Sequence, residues 1–145
     1  MSALSRINRR RATSALAAWS LLVWTSRIRN IWTDDALTTS GQVGRTALAL
    51  SFTVLAVAAL VTVLRPVSHR ASTLVVDVLA GWTVAVWAVR VPGIMLNDHE
   101  VAFVVVHVVL AVVSVALAAL AVAEAHRAGE SADAGAEPLA PTPSA

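Results

Sequence analysis

Apolar residues do not alternate with polar ones along this chain; they run together in long blocks. Residues 101–123 (VAFVVVHVVLAVVSVALAALAVA) form a run of 23 without a formal charge, and His107 and Ser114 are its only polar side chains. A helix rises ~1.5 Å per residue, so the run reaches about 34 Å and crosses a ~30 Å hydrocarbon core with some tilt. Lipid offers backbone groups no partner, and a helix satisfies its own. Residues 46–64 form a second block of 19, and residues 71–89 a third, interrupted only by Asp77. Arg65 and Pro66 stop the second, because proline keeps the residue before it out of helical geometry. Arg90, Pro92 and Gly93 are expected to end the third.

A fourth block is shorter. Residues 12–26 carry no charge but are only 15 long, between Arg11 and Arg27, about 22 Å as a helix. Three readings fit: a short span with snorkelling arginines, a helix lying in the interface, or a cleaved signal. No small-x-small site follows the run, which disfavours the signal. Trp19, Trp24 and Trp32 suit the headgroup level required by the other two. Ile28, Ile31 and Trp32 share a face, so this helix is expected to continue along the membrane surface. The fold expected is all-α, an integral membrane bundle of four transmembrane helices near 12–26, 46–64, 71–89 and 101–123. In the alternative only the last three span. Residues 1–11 read as a basic cytoplasmic leader, 12–123 as the transmembrane domain, and 124–145, rich in Ala, Gly, Pro, Ser and acids, as a disordered tail.

Composition agrees with a bilayer. Hydrophobic residues make up 57% and charged ones 14%, against roughly 25% charged in soluble domains. All 11 basic residues are arginine, a usage that fits a GC-rich bacterial genome. Arg6, Arg9, Arg10 and Arg11 sit beside an apolar run, which points to anionic headgroups and membrane topology rather than to nucleic acid. With four spans, Arg6, Arg9, Arg10, Arg11, Arg65, Arg70 and Arg127 fall on one side and Arg27, Arg29, Arg45 and Arg90 on the other. Seven against four places both termini in the cytoplasm of the cell, for a bacterial protein inside the inner membrane. The chain has no cysteine, so thiolate metal sites, disulfides and cysteine nucleophiles are excluded.

Candidate chemistry reduces to the polar residues that lipid should have excluded: Asp77, His107 and Ser114. Buried ionisable groups are costly in a membrane and face protein or water. Asp77, Gly81, Ala85 and Ala88 share one helical face, and His107, Ala111, Ser114, Ala118 and Ala121 share another. Small-residue stripes are where membrane helices approach closely, so both are expected to be packing seams, with Trp82 and Trp87 projecting elsewhere. In antiparallel spans Asp77 and His107 each lie ~9 Å from opposite surfaces, which leaves roughly 12 Å between them in depth. The ion-pair partners expected for Asp77 are Arg70, two turns earlier on nearly the same face, and Arg65. No histidine stands at the level of His107 on another span, so a haem held between helices is not expected.

The remaining clusters have simpler readings. Asp98, His99 and Glu100 are consecutive and would point ~100° apart on a helix, so they do not converge on a metal; Asn97 with Glu100 reads as a capping box for the last span. Thr33 before Asp34 and Asp35 reads as an N-cap followed by first-turn acids. Gly41 and Gly44 are too closely spaced for a nucleotide fingerprint and should loosen the start of the second span. No catalytic triad or phosphate loop is present, so no enzyme, cofactor or metal is expected. The reading that follows is an accessory or scaffold subunit of a membrane complex. The alternative is a small transporter or proton conductor using Asp77 and His107, favoured by homo-oligomerisation.

Overall fold

In the computed structural model, which describes residues 7, 10–33 and 38–134, four α-helices follow one another: α1 (Arg11–Trp32), α2 (Thr39–Leu64), α3 (His69–Met95) and α4 (Val101–Ala134). There is no strand among the described residues. Each helix packs on its two neighbours, α1 on α2 and α4, and α3 on α2 and α4, so the helices close into a ring. Neighbours run antiparallel: Thr13 of α1 meets Glu124 at the far end of α4, while Arg27 meets His107 near its start. The described chain ends therefore lie at the same end of the bundle as the turn between α2 and α3. The opposite end carries the connections α1–α2 and α3–α4.

α2, α3 and α4 are long and apolar enough to cross a membrane. At 26, 27 and 34 residues they reach about 39, 40 and 51 Å, beyond the ~30 Å hydrocarbon core and into the headgroup layer. No more than 28% of each apolar window is buried within the bundle, so most of this surface faces outward. Alanines occupy much of the interior beside a few large side chains such as Leu16, Phe52 and Leu79. Ala17, Ala49, Ala56, Ala59, Ala118 and Ala121 are buried, while Val54, Leu74, Val89, Val105, Val112 and Leu120 point out. Small inward residues let the backbones approach, and large aliphatic ones fit a lipid environment. One aromatic pair fills the core: Trp24 of α1 stacks on Phe52 of α2, with centroids 4.1 Å apart and planes within 6°.

α1 is not among the three helices apolar enough to span by composition. Its buried residues nevertheless run from Thr13 through Leu16, Ala17, Ser20, Val23 and Trp24 to Ile31. It lies along the bundle, alongside α4, rather than across the bundle's end. The continuation along a surface expected from Ile28, Ile31 and Trp32 gives way to this packing: Ile31 is buried and only Trp32 turns outward.

Several boundaries differ from those expected. α2 starts seven residues before residue 46, because Thr38 caps it, its side chain accepting from the Gly41 N–H; Gly41 and Gly44 are helical. Thr33 follows the last residue of α1 as its C-cap and caps no helix start; Asp34 and Asp35 lie outside the described residues. α3 passes through Pro92 and stops at Met95. Proline removes one N–H donor within the last two turns, where the ladder is ending anyway. The Asn97 amide donates back to the Gly93 carbonyl at 2.6 Å, so it closes α3 instead of opening α4. The largest difference is in the tail. α4 continues through Glu124 to Ala134, and Gly129 approaches the turn so closely that a Cβ there would lie 2.5 Å from His69 Nε2. Residues 135–145 and most of the leader (1–6, 8 and 9) lie outside the described residues.

Candidate functional site

Polar side chains gather at three levels of the bundle. At the end that holds the described termini, Glu124 reaches across to the first turn of α1. Its carboxylate accepts from the Ala12 N–H at 2.9 Å, the Thr13 N–H at 3.1 Å and the Thr13 hydroxyl at 2.9 Å. The opening N–H groups of a helix have no partner within it, and a carboxylate there also meets the positive end of the dipole. α1 lacks a side-chain cap of its own at Arg10, so α4 supplies one. Arg10 donates to the Ser72 hydroxyl of α3 beside it.

On the outer side of the same end, His126 donates from Nε2 to both carboxylate oxygens of Asp77, at 3.2 and 3.3 Å. The partner of Asp77 is thus on α4. Among the described residues neither Arg70 nor Arg65 forms an ion pair with it. The stripe to which Asp77 belongs is not a seam either. Gly81, Ala85 and Ala88 are exposed, and the Asp77 side chain is 39% exposed. α3 instead buries Val76, Ala80, Thr83 and Trp87, the face about one residue over. Trp87, expected to project elsewhere, is buried, while Trp82 reaches sideways to donate to the Ser51 hydroxyl of α2 at 3.0 Å. Asp77 and Gly81 edge an open groove between α3 and α4 floored by Ala118 and Ala119.

Midway along the bundle, Ser114 is 4% exposed and accepts from the Trp19 indole N–H at 2.9 Å, while donating to the Leu110 carbonyl. The α4 stripe is a seam throughout: His107, Ala111, Ser114, Ala118 and Ala121 are all buried. It continues to Ala125, one step past the expected end of the helix.

At the other end His107 donates from Nδ1 to the Phe103 carbonyl at 2.8 Å and accepts at Nε2 from Arg27 at 2.7 Å. A carbonyl only accepts and a guanidinium only donates, so the contacts select the neutral ring with its proton on Nδ1. Arg27 also lies over Trp24, 5.9 Å from the ring centre. It stands beyond the uncharged run 12–26, and burial, then Arg90 and Arg45, push its guanidinium down to about 10. It remains charged at neutral pH. Arg27, Arg45 and Arg90 line one cavity of about 250 Å³ with Trp24, Asn30 and Phe103. No carboxylate of the described residues pairs with any of the three.

His107 and His126 are 19 residues apart on α4, about 28 Å along the axis. Asp77, beside His126, is correspondingly far from His107, and the two candidate residues do not share a site. Among the described residues no three His, Asp or Glu side chains converge as metal ligands would. Glu124 was the residue hardest to see, since it opens an acidic, Ala-rich segment. Its signal is periodicity: the α4 stripe advances by 4, 3, 4 and 3, the next step of 4 reaches buried Ala125, and Glu124 stands beside that position and three residues after Ala121. Arg27 had a weaker one, lying four residues before buried Ile31 and three after buried Trp24. No protein-family model, curated protein or solved structure matches the chain.

Proposed function

We propose that this chain is a multi-pass membrane protein that acts as a non-enzymatic accessory or scaffold subunit, with four spans and both termini in the cytoplasm of a bacterial cell. One observation carries the reading: the three polar residues singled out inside the apolar segments, Asp77, His107 and Ser114, each have a side-chain partner on a neighbouring helix. Trp19 with Ser114, Arg27 with His107, and Glu124 with the start of α1 tie α1 to α4 at three levels. Such ties hold an assembly in register, and hydrogen bonds between membrane helices are commonly used in this way. α1 runs the depth of the bundle beside α4, which supports the fourth span and the seven-to-four arginine count.

The second reading, a proton conductor using Asp77 and His107, draws on the exposed Asp77–His126 pair in its groove. It needs a path across about 28 Å between the two ends. Proton flux into proteoliposomes, measured for the parent chain and Asp77→Asn, separates the readings. The scaffold reading expects no flux that depends on Asp77, and a partner co-purifying in stoichiometric amount from native membranes. Flux lost in Asp77→Asn overturns it. A reporter fused after Ala134 is expected on the cytoplasmic side; an external position there sinks the four-span arrangement.

A further inference from the structure

Three guanidinium groups from three different helices face one cavity, and no described carboxylate balances them. Arg27 and Arg90 are half-buried, so their mutual repulsion is screened less than it would be in water. One of the three guanidinium groups also has an unsatisfied donor. Among the described residues, the buried side-chain atoms without a hydrogen-bond partner are Arg90 Nε, Trp87 Nε1 and Thr46 Oγ1. Of these three residues, Arg90 alone lines the cavity. Buried donors are normally partnered, so an orphan guanidinium N–H of Arg90 among three cations without a described carboxylate marks a place suited to an acceptor.

We propose that Arg27, Arg45 and Arg90 form a binding site for a phosphate group, with Asn30 and Trp24 in its wall. The guanidinium fork pairs with oxyanions two bonds at a time, and three forks call for more oxygens than the two of a carboxylate. A cavity of about 250 Å³ holds a phosphate with part of what it is attached to. Depth agrees with the chemistry. Arg27 follows the first apolar run, Arg45 precedes the second and Arg90 follows the third, so all three stand where the chain leaves hydrocarbon for headgroups. At that level the phosphate comes either from a membrane lipid or from solution.

The test uses the full chain, purified in detergent and stripped of lipid. Phosphatidylglycerol is titrated in mixed micelles and inorganic phosphate in a separate series, with native mass spectrometry counting bound ligand. The expected result is saturable binding of one phosphate-bearing ligand per chain. Arg27→Gln with Arg90→Gln should weaken it by about tenfold or more, since each loses charge-assisted bonds. Arg29→Gln and Arg70→Gln, both exposed and neither lining the cavity, should leave it unchanged. Should the double variant fail to fold, Arg45→Gln alters an exposed residue of the site and carries the same expectation. Saturation by the lipid without inorganic phosphate identifies a headgroup; binding of inorganic phosphate that displaces the lipid identifies the free anion. The proposal is overturned if neither ligand binds, if the site variants bind as the parent does, or if binding emerges only after Asp34→Asn with Asp35→Asn.

Discussion

α3 and α4 carry the same kind of stripe and put it to opposite uses. On α4, His107, Ala111, Ser114, Ala118 and Ala121 are buried against the bundle; on α3, Gly81, Ala85 and Ala88, together with Asp77, turn outward. Small size alone does not choose a seam. α4 has a second small series, Ala116, Ala119 and Ala123, which stays exposed, and the face that packs is the one that also carries His107 and Ser114. α3 has small residues on two adjacent faces, and the choice between them falls to the one that also carries Thr83 and Trp87. Polar residues follow the choice: Ser114 and His107 find partners on α1, while Asp77 finds His126 at the bundle's edge.

The comparison is broken most directly by adding bulk to each stripe. Ala118→Leu, at a site 1% exposed, should destabilise the bundle by about 1–3 kcal/mol through overpacking. Ala85→Leu, at an exposed position, should change stability by less than about 0.5 kcal/mol. Unfolding in mixed micelles, followed by far-UV circular dichroism, reads both. Equal losses would mean that the α3 stripe is packed after all.

The next effect concerns the end of the α4 seam. Glu124→Ala leaves the Thr13 hydroxyl and two opening N–H groups of α1 without their acceptor. A loss of about 2 kcal/mol is expected, in the range for a removed cap and unsatisfied donors. Hydrogen exchange at Ala12 and Thr13 should accelerate while α2 and α3 stay protected. Unchanged exchange there would show that Glu124 does not hold α1.

These residues also mark what was legible. The four-helix, all-α bundle could be read because blocks of apolar residues are an unambiguous signal in lipid. The α4 seam could be read because the two polar residues of the run, His107 and Ser114, fall on one face with Ala111, Ala118 and Ala121. The α3 seam could not, since a one-residue rotation separates two faces of similar size and the deciding contacts are with other helices. Arg27 with His107 joins residues 80 apart in sequence, and only the antiparallel register of α1 and α4 brings them together. The start of α2 was misplaced because Thr39, Ser40 and Gln42 read as loop, although Thr38 caps them into a helix. Asn97 illustrates the converse: a plausible capping pattern whose side chain closes the helix behind it.

A smaller change sharpens the middle of the seam. Ser114→Ala removes the acceptor of the Trp19 indole but keeps the small volume that lets α1 approach. About 0.6 kcal/mol is expected, the average for hydrogen bonds between membrane helices. Combining it with Trp19→Phe should cost little more than either change alone, because both remove the same bond. Full additivity in that cycle would show that the indole and the hydroxyl do not interact.

The smallest expected effect has the opposite sign. A Cβ built at Gly81 meets nothing within 4 Å, so Gly81→Ala introduces no clash. Glycine inside a helix costs up to about 1 kcal/mol relative to alanine, chiefly through the freedom it regains on unfolding. Part of that penalty is already reduced in a membrane, where an unfolded state keeps helical segments. Gly81→Ala should therefore stabilise the isolated chain slightly, by up to about 0.5 kcal/mol. The matched change on the seam, Ala118→Gly, should destabilise it by about 1 kcal/mol, because it loses helix propensity and leaves a buried methyl-sized gap. Measured together, the pair asks whether the two stripes differ in packing or only in composition. A destabilised Gly81→Ala would place a neighbour against α3 within the purified protein, and the contrast between the stripes would fall.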